Sequence, residues 1–219
     1  MQLIEVPAAW ALPSDEDSGR TTGLHFSDVQ RIMLQDHDPD KYQDRTEEEA
    51  SEVWGTWELG RAFEMYDKAQ IRGQGVTITD GVEHVLDGII LTPDGETPGE
   101  RIWEWKLTWS SSRHDVQERH WYYFDQIRAY CHARGLTQAT LRLCNVCGNY
   151  KPLYQPHRRQ FDLTFTPREL REFWRVVLAH KDRAEKKQAT LKEILSLQAE
   201  KLAKHNAKQA RLRAKGRRL

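Results

Sequence analysis

The apolar positions change period several times along the chain, and each change marks an element. Phe26 to Leu34 reads as a helix with His25 or Ser27 near its start, and the polar segment 35–46 reads as a loop. Thr46 with Glu49 three residues on forms a capping box. It predicts a helix to about Gln70 with Val53, Trp54, Trp57, Ala62, Phe63 and Tyr66 among its apolar positions. The period then drops to two. Val76–Thr79 and Val82–Thr92 read as strands, Asp94-Gly95 and Pro98-Gly99 as turns, and Arg101–Trp109 as an alternating partner strand. Ser110–Ser112 can cap a helix from about Arg113 to Arg134, stopped by Gly135. Strands follow at Ala139–Val146 and Gln160–Phe165. Thr166-Pro167 then opens a helix that can continue past His180 into the tail. The order predicts an α/β fold, a mixed central sheet flanked by helices, plus a long C-terminal helix. The expected organisation is an N-terminal arm (1–21), a domain (22–180) and a basic helical tail (181–219).

Composition narrows the class. At 219 residues with 38% hydrophobic positions and eight Trp, the chain can bury a core, which excludes a disordered protein. No apolar run reaches the ~18–20 residues of a membrane span, and no leader pattern opens the chain. Three cysteines without a framework fit a reducing cytoplasm. The net charge of zero conceals an asymmetry. Residues 181–219 hold thirteen Lys/Arg against four Asp/Glu, a net of +9, and residues 1–180 hold twenty against twenty-nine, a net of −9. A basic tail is an electrostatic footprint for a polyanion, although a solvated helix has the same composition.

Candidate chemistry sits on the strand from Arg101. Side chains two apart share a face, so Ile102, Glu104, Lys106 and Thr108 point one way and Trp103, Trp105 and Leu107 the other. Charged groups between large aromatics are costly to bury unless paired or bound to a metal. Asp87 is a second charge inside an apolar run, Val85 to Ile90. Antiparallel pairing around a turn at 93–99 would bring it close to Glu104. Two carboxylates hold a hard cation, and an adjacent lysine can orient a water and offset developing negative charge; the set suits phosphodiester hydrolysis. A salt bridge on a solvent-facing strand remains the alternative for this triplet.

The motifs in order resemble the PD-(D/E)XK nucleases, in their RecB-like and YqaJ-like branches. Leu24-His25-Phe26-Ser27 is similar to the opening serine segment. Gly60-Arg61-Ala62-Phe63-Glu64 is similar to the helix motif with an acidic residue near the metal. Asp87-Gly88-Ile89 and Glu104-Trp105-Lys106 resemble the core D…ExK, and Gln126 to Tyr130 the Q-xxx-Y helix. The likeness spans about residues 22–178, closing on Phe161–Trp174. It implies catalytic Asp87, Glu104, Lys106 and Glu64, with Asp87, Glu104 and Glu64 as ligands of Mg²⁺ or, as its substitute, Mn²⁺, and substrate contacts from Gln126, Tyr130 and Ser27. It further implies a DNA exonuclease of recombination or repair, phage-encoded in many such chains, with DNA as partner and a homo-oligomer or recombination partner protein open.

Two other classes stay open: a non-catalytic DNA-binding or assembly protein on this fold, and a nuclease acting on RNA or branched DNA. Some relatives hold an iron–sulfur cluster on four cysteines, one of them before the nuclease core. This chain has only Cys131, Cys144 and Cys147, so no cluster is expected. The tryptophan-rich stretches read as core. The tail's stripe of Leu191, Ile194, Leu195 and Leu202 can pack on the domain or on a second copy.

Overall fold

The computed structural model describes residues 21–43, 47–146 and 157–216. Residues 1–20 of the predicted arm, the Thr46 cap and Cys147 lie outside these. The elements run β1 (Leu24–His25), α1 (Phe26–His37), α2 (Glu47–Gly73), β2 (Thr79–Asp80), β3 (His84–Leu86), β4 (Ile89–Leu91), β5 (Gly95–Thr97), β6 (Arg101–Thr108), α3 (Val116–Arg119), α4 (Trp121–Arg134), β7 (Gln138–Asn145), β8 (His157–Thr164) and α5 (Pro167–Gly216). One sheet has the order β2-β5-β6-β7-β8, and a smaller one β1-β4-β3. In the larger sheet β6 pairs parallel with β7 and antiparallel with β5, so it is mixed. The parallel pair requires a crossover, and α3 and α4 supply it. The α/β expectation therefore holds, with a mixed sheet, flanking helices and a long C-terminal helix.

The two Asp-Gly pairs exchange the roles expected of them. The predicted strand Val82–Thr92 is a hairpin, with Leu86 facing Ile89 across a two-residue turn at Asp87-Gly88. Both turn residues have positive φ, 50° and 76°. A tight hairpin turn of this hand demands such angles, and Asp-Gly supplies them. Asp94-Gly95, expected to turn, instead leads into β5. Gly95 is there for space: a Cβ on it would lie 3.1 Å from Ile78 and 3.2 Å from the Trp105 ring.

The main core lies between the sheet and α1, α4 and α5, with Phe26, Val29, Ile102, Ile127, Leu141, Leu143 and Val177 fully or nearly fully buried. On the opposite face Trp103 and Trp105 stack with centroids 5.9 Å apart and pack with Ile71 and Ile78. Beneath them lies a polar anchor. Asp67, 1% exposed, accepts from the Trp105 indole at 2.9 Å and from two nitrogens of Arg142 at 2.8 and 2.9 Å. This ties α2 to β6 and β7. Helix α5 crosses residue 180 without interruption. Its first part is fastened to α1 through Arg183–Asp36 and to the start of β1 through Gln188, whose amide donates to the Gly23 carbonyl. Farther along, Leu191, Ile194 and Leu197 are exposed.

Burial works against ionisation of Asp67, but the Arg142 and Trp105 hydrogen bonds outweigh it and hold the carboxyl below the ordinary value of 3.8. Removing one partner of a buried pair strands the other. Asp67→Asn should therefore lower unfolding stability in urea by about 3 kcal/mol. Asp67 has a depressed folded pKa, so its contribution is present above the unfolded value and fades as pH falls through the folded one. The difference between wild type and variant should shrink on acidification below about pH 4.

Candidate active site

The register Gly95↔Trp103, Glu96↔Ile102 and Thr97↔Arg101 sets the site. Continued by one residue, it places Asp94 opposite Glu104. The Asp94 carboxylate accepts from the Trp105 backbone N–H at 2.8 Å. Glu104 is fully buried, and the Lys106 ammonium donates to its Oε1. Its other oxygen, Oε2, has no hydrogen-bond partner among the described residues.

Burial, compounded by repulsion from Asp94 and only partly offset by Lys106, pushes the Glu104 carboxyl up to about 8. Burial opposes the Lys106 charge too, but attraction to Glu104 and Asp94 prevails and keeps the ammonium protonated. Tyr130 borders the same charges. Burial and the Glu104 charge raise its phenol, whose oxygen accepts from the Gln126 amide at 2.7 Å. An orphaned, buried carboxylate oxygen beside a second carboxylate is a donor set that suits a hard divalent cation. Asp94 and Glu104 are the residues present to hold it; among the described residues no group of three or more His, Cys, Asp or Glu is placed to do so.

This corner opens into a cleft of about 1000 Å³. Asp94, Lys106, Glu64 and Gln126 line it, as do the cations Lys41, Arg61 and Arg119 and the aromatics Tyr42, Trp57, Trp109, Tyr122 and Tyr123. Trp57 is 64% exposed and Trp109 42%, so these two are cleft surface, whereas Trp103, Trp105 and Trp174 are core as expected of the tryptophans. The Lys106 ammonium also faces the Tyr123 ring at 5.9 Å.

Of the residues singled out in the sequence, Glu104, Lys106, Gln126 and Tyr130 come together, and Glu64 stands on the cleft wall with its carboxylate engaged by Lys68 at 2.8 Å. Ser27 does not line the cleft. It borders an adjoining cavity of about 290 Å³, which shares Lys41, Tyr42 and Tyr122 with the cleft. Asp87 does not join the others. The hairpin carries it into the smaller sheet, where its carboxylate accepts from the Trp174 indole at 2.8 Å. Asp94 stands in the place expected of Asp87. The sequence held a signal for this: Asp87-Gly88 between apolar residues is a strong hairpin pattern, and Pro93-Asp94 directly precedes the strand that pairs with Glu104-Trp105-Lys106. Cys131 and Cys144 are buried, and burial pushes the Cys131 thiol up to about 12.

No protein-family model and no curated protein matches the chain. Among solved structures, an alkaline exonuclease from Laribacter hongkongensis is similar over 80% of this chain and 93% of its own, with a TM-score of 0.51 and 14% identity. A phage-related exonuclease from Haemophilus somnus is similar over 73% and 79%, with a TM-score of 0.46 and 11% identity. The first of these likenesses, at such low identity, is one of fold. The chain therefore shares the α/β fold of that alkaline exonuclease, in keeping with the fold class its sequence predicted.

Glu104 should leave a signature in stability. Its folded pKa is raised from 4.5 to about 8, so the native state holds a proton that the unfolded chain releases. The associated stability is fully present below about pH 4.5 and is lost as pH rises toward 8. In metal-free buffer, urea unfolding of wild type should weaken over this range relative to Glu104→Gln. Parallel profiles for the two proteins would contradict the assigned burial.

Proposed function

We propose that the protein is a metal-dependent nuclease that hydrolyses DNA phosphodiester bonds, an exonuclease of recombination or repair. The observation that carries this reading is the convergence of Asp94 and Lys106, which line a cleft with cationic and aromatic walls, with Glu104 buried directly behind them. Asp94 and Glu104 would hold Mg²⁺, or Mn²⁺ in its place. When bound, such an ion polarises a phosphoryl oxygen and lowers the pKa of water. The remaining work falls to the chain itself. The Lys106 ammonium, kept charged by its neighbours, orients the attacking water and offsets the charge that grows on the phosphoryl oxygens. Gln126, joined to Tyr130, offers an amide to a phosphate or base. Lys41, Arg61 and Arg119 draw the phosphate backbone into the cleft, and Trp57 and Tyr42 present faces to unpaired bases. The eight basic residues after Glu200 add nonspecific affinity, offsetting the repulsion that an acidic body exerts on DNA.

Two aspartates separate this site from the arrangement expected from sequence. Asp94→Asn should reduce cleavage of end-labelled linear DNA by on the order of 10²-fold or more, as should Glu104→Gln and Lys106→Met. Asp87→Asn should cleave normally and lose only about 1 kcal/mol of stability, from its bond to Trp174. A silent Asp87→Asn beside an active Asp94→Asn would reverse the assignment. Chelation should silence the wild type, and activity that persists in excess EDTA would refute the metal. Loss of linear but not circular DNA would identify the exonuclease.

The tail is tested through salt. Deleting residues 201–219 should weaken DNA binding most at low ionic strength and flatten the salt dependence by roughly 0.9 log units per lost phosphate contact with duplex. Turnover at saturating DNA should hardly change. A shift in assembly state by light scattering, with an unaltered salt slope, would assign the tail to subunit contacts instead.

A further inference from the structure

Two tryptophans of the cleft serve no purpose in folding. Trp57 and Trp109 are exposed, although a tryptophan has much to gain from burial and Trp103, Trp105 and Trp174 are all buried. The two come from different elements, Trp57 from α2 and Trp109 from the position just after β6. Each has a guanidinium at hand. Arg61 stands one helical turn after Trp57, on the same side of α2, and lines the same cleft. Ser110 directly follows Trp109, and its hydroxyl accepts from Arg119 Nε at 3.1 Å. A ring beside a cation, twice over in one cleft, matches what an unpaired strand offers at each nucleotide: a flat base and a phosphate.

We propose that the cleft selects unpaired DNA strands over duplex, with Trp57 and Trp109 as the platforms on which bases stack. This rests on the nuclease reading and names the form of substrate within it. Inside a duplex the bases are held in the stack, and a protein grips the backbone through its phosphates. A site shaped for duplex would need cations there and no bare rings. Size agrees: at about 1000 Å³ the cleft stands at the upper end of small-molecule sites, room for a few nucleotides of one strand. Charge agrees as well. Duplex carries one negative charge per about 1.7 Å and a single strand one per about 3.4 Å. Residues 1–180 hold a net charge of −9, so the body repels the single strand less.

The test is a titration of one labelled oligonucleotide with the full-length protein, once as a single strand and once as a blunt duplex. Fluorescence anisotropy in EDTA and about 0.15 M salt reads binding without turnover and with the tail largely screened. Wild type should bind the single strand at least about tenfold more tightly than the duplex. Trp57→Ala and Trp109→Ala should each weaken single-strand binding by about tenfold and duplex binding by less than about twofold. Trp57→Phe and Trp109→Phe keep a stacking face and should recover most of the loss. Equal affinity of the wild type for both forms, equal losses for both forms in the alanine variants, or an unchanged single-strand affinity in those variants would each overturn the proposal. Should one alanine variant fail to fold, the wild-type comparison and the other variant still decide. A wild type that binds neither form would instead bring down the nuclease reading, and this inference with it.

Discussion

A carboxylate taken wholly out of water must find positive charge or stay protonated, and the architecture around Glu104 follows from that constraint. Its oxygens lie on a strand covered on both faces, so bulk water cannot solvate them. Lys106, two residues on along the same strand, supplies one partner. Asp94, opposite at the approach to β5, makes the problem worse, since like charge raises the cost of ionisation. A structure arranged for stability alone would not set a second carboxylate there. The arrangement fits a centre in which a bound cation completes the charge balance, and it underlies the proposed hydrolytic role.

The rest of the fold holds that corner still. Gly95 lets β5 approach the Trp105 ring, which fixes where Asp94 stands. The Trp105 indole is anchored by buried Asp67, and Asp67 by Arg142 of β7, so β6 cannot shift without breaking an ion pair. From the α2 side Lys68 clasps the Asp94 carbonyl. From the other face Tyr130 and Gln126 of α4 close over Glu104 and Lys106. Preorganisation of this sort is what lets charged groups act on a reacting phosphate without first rearranging.

Much of this was legible in the sequence because period and punctuation agreed. The alternation of Arg101–Thr108 placed Glu104 and Lys106 on one face. Gly135 ended α4 in the left-handed conformation expected of it, and Thr166-Pro167 opened α5. The acidic partner was misplaced because Asp87-Gly88 and Asp94-Gly95 are chemically the same dipeptide. Local signals cannot say which glycine is needed for a positive φ and which for the close passage of a distant tryptophan. The second depends on Trp105 and Ile78, ten and seventeen residues away. Lys68 was missed for the same reason: its three acceptors come from α2, β2 and the approach to β5, a convergence that exists only once the chain is folded. Trp57 and Trp109 also escaped, since a tryptophan's sequence neighbours do not reveal whether it faces a core or a cleft.

Anomalous diffraction from crystals soaked in Mn²⁺ tests the central claim most directly. A peak is expected between the carboxylates of Asp94 and Glu104, within coordination distance of the Glu104 oxygen that has no hydrogen-bond partner among the described residues. A peak at Asp87, or a soaked crystal in which Glu104 stays paired only with Lys106 and no ion binds beside it, would contradict it.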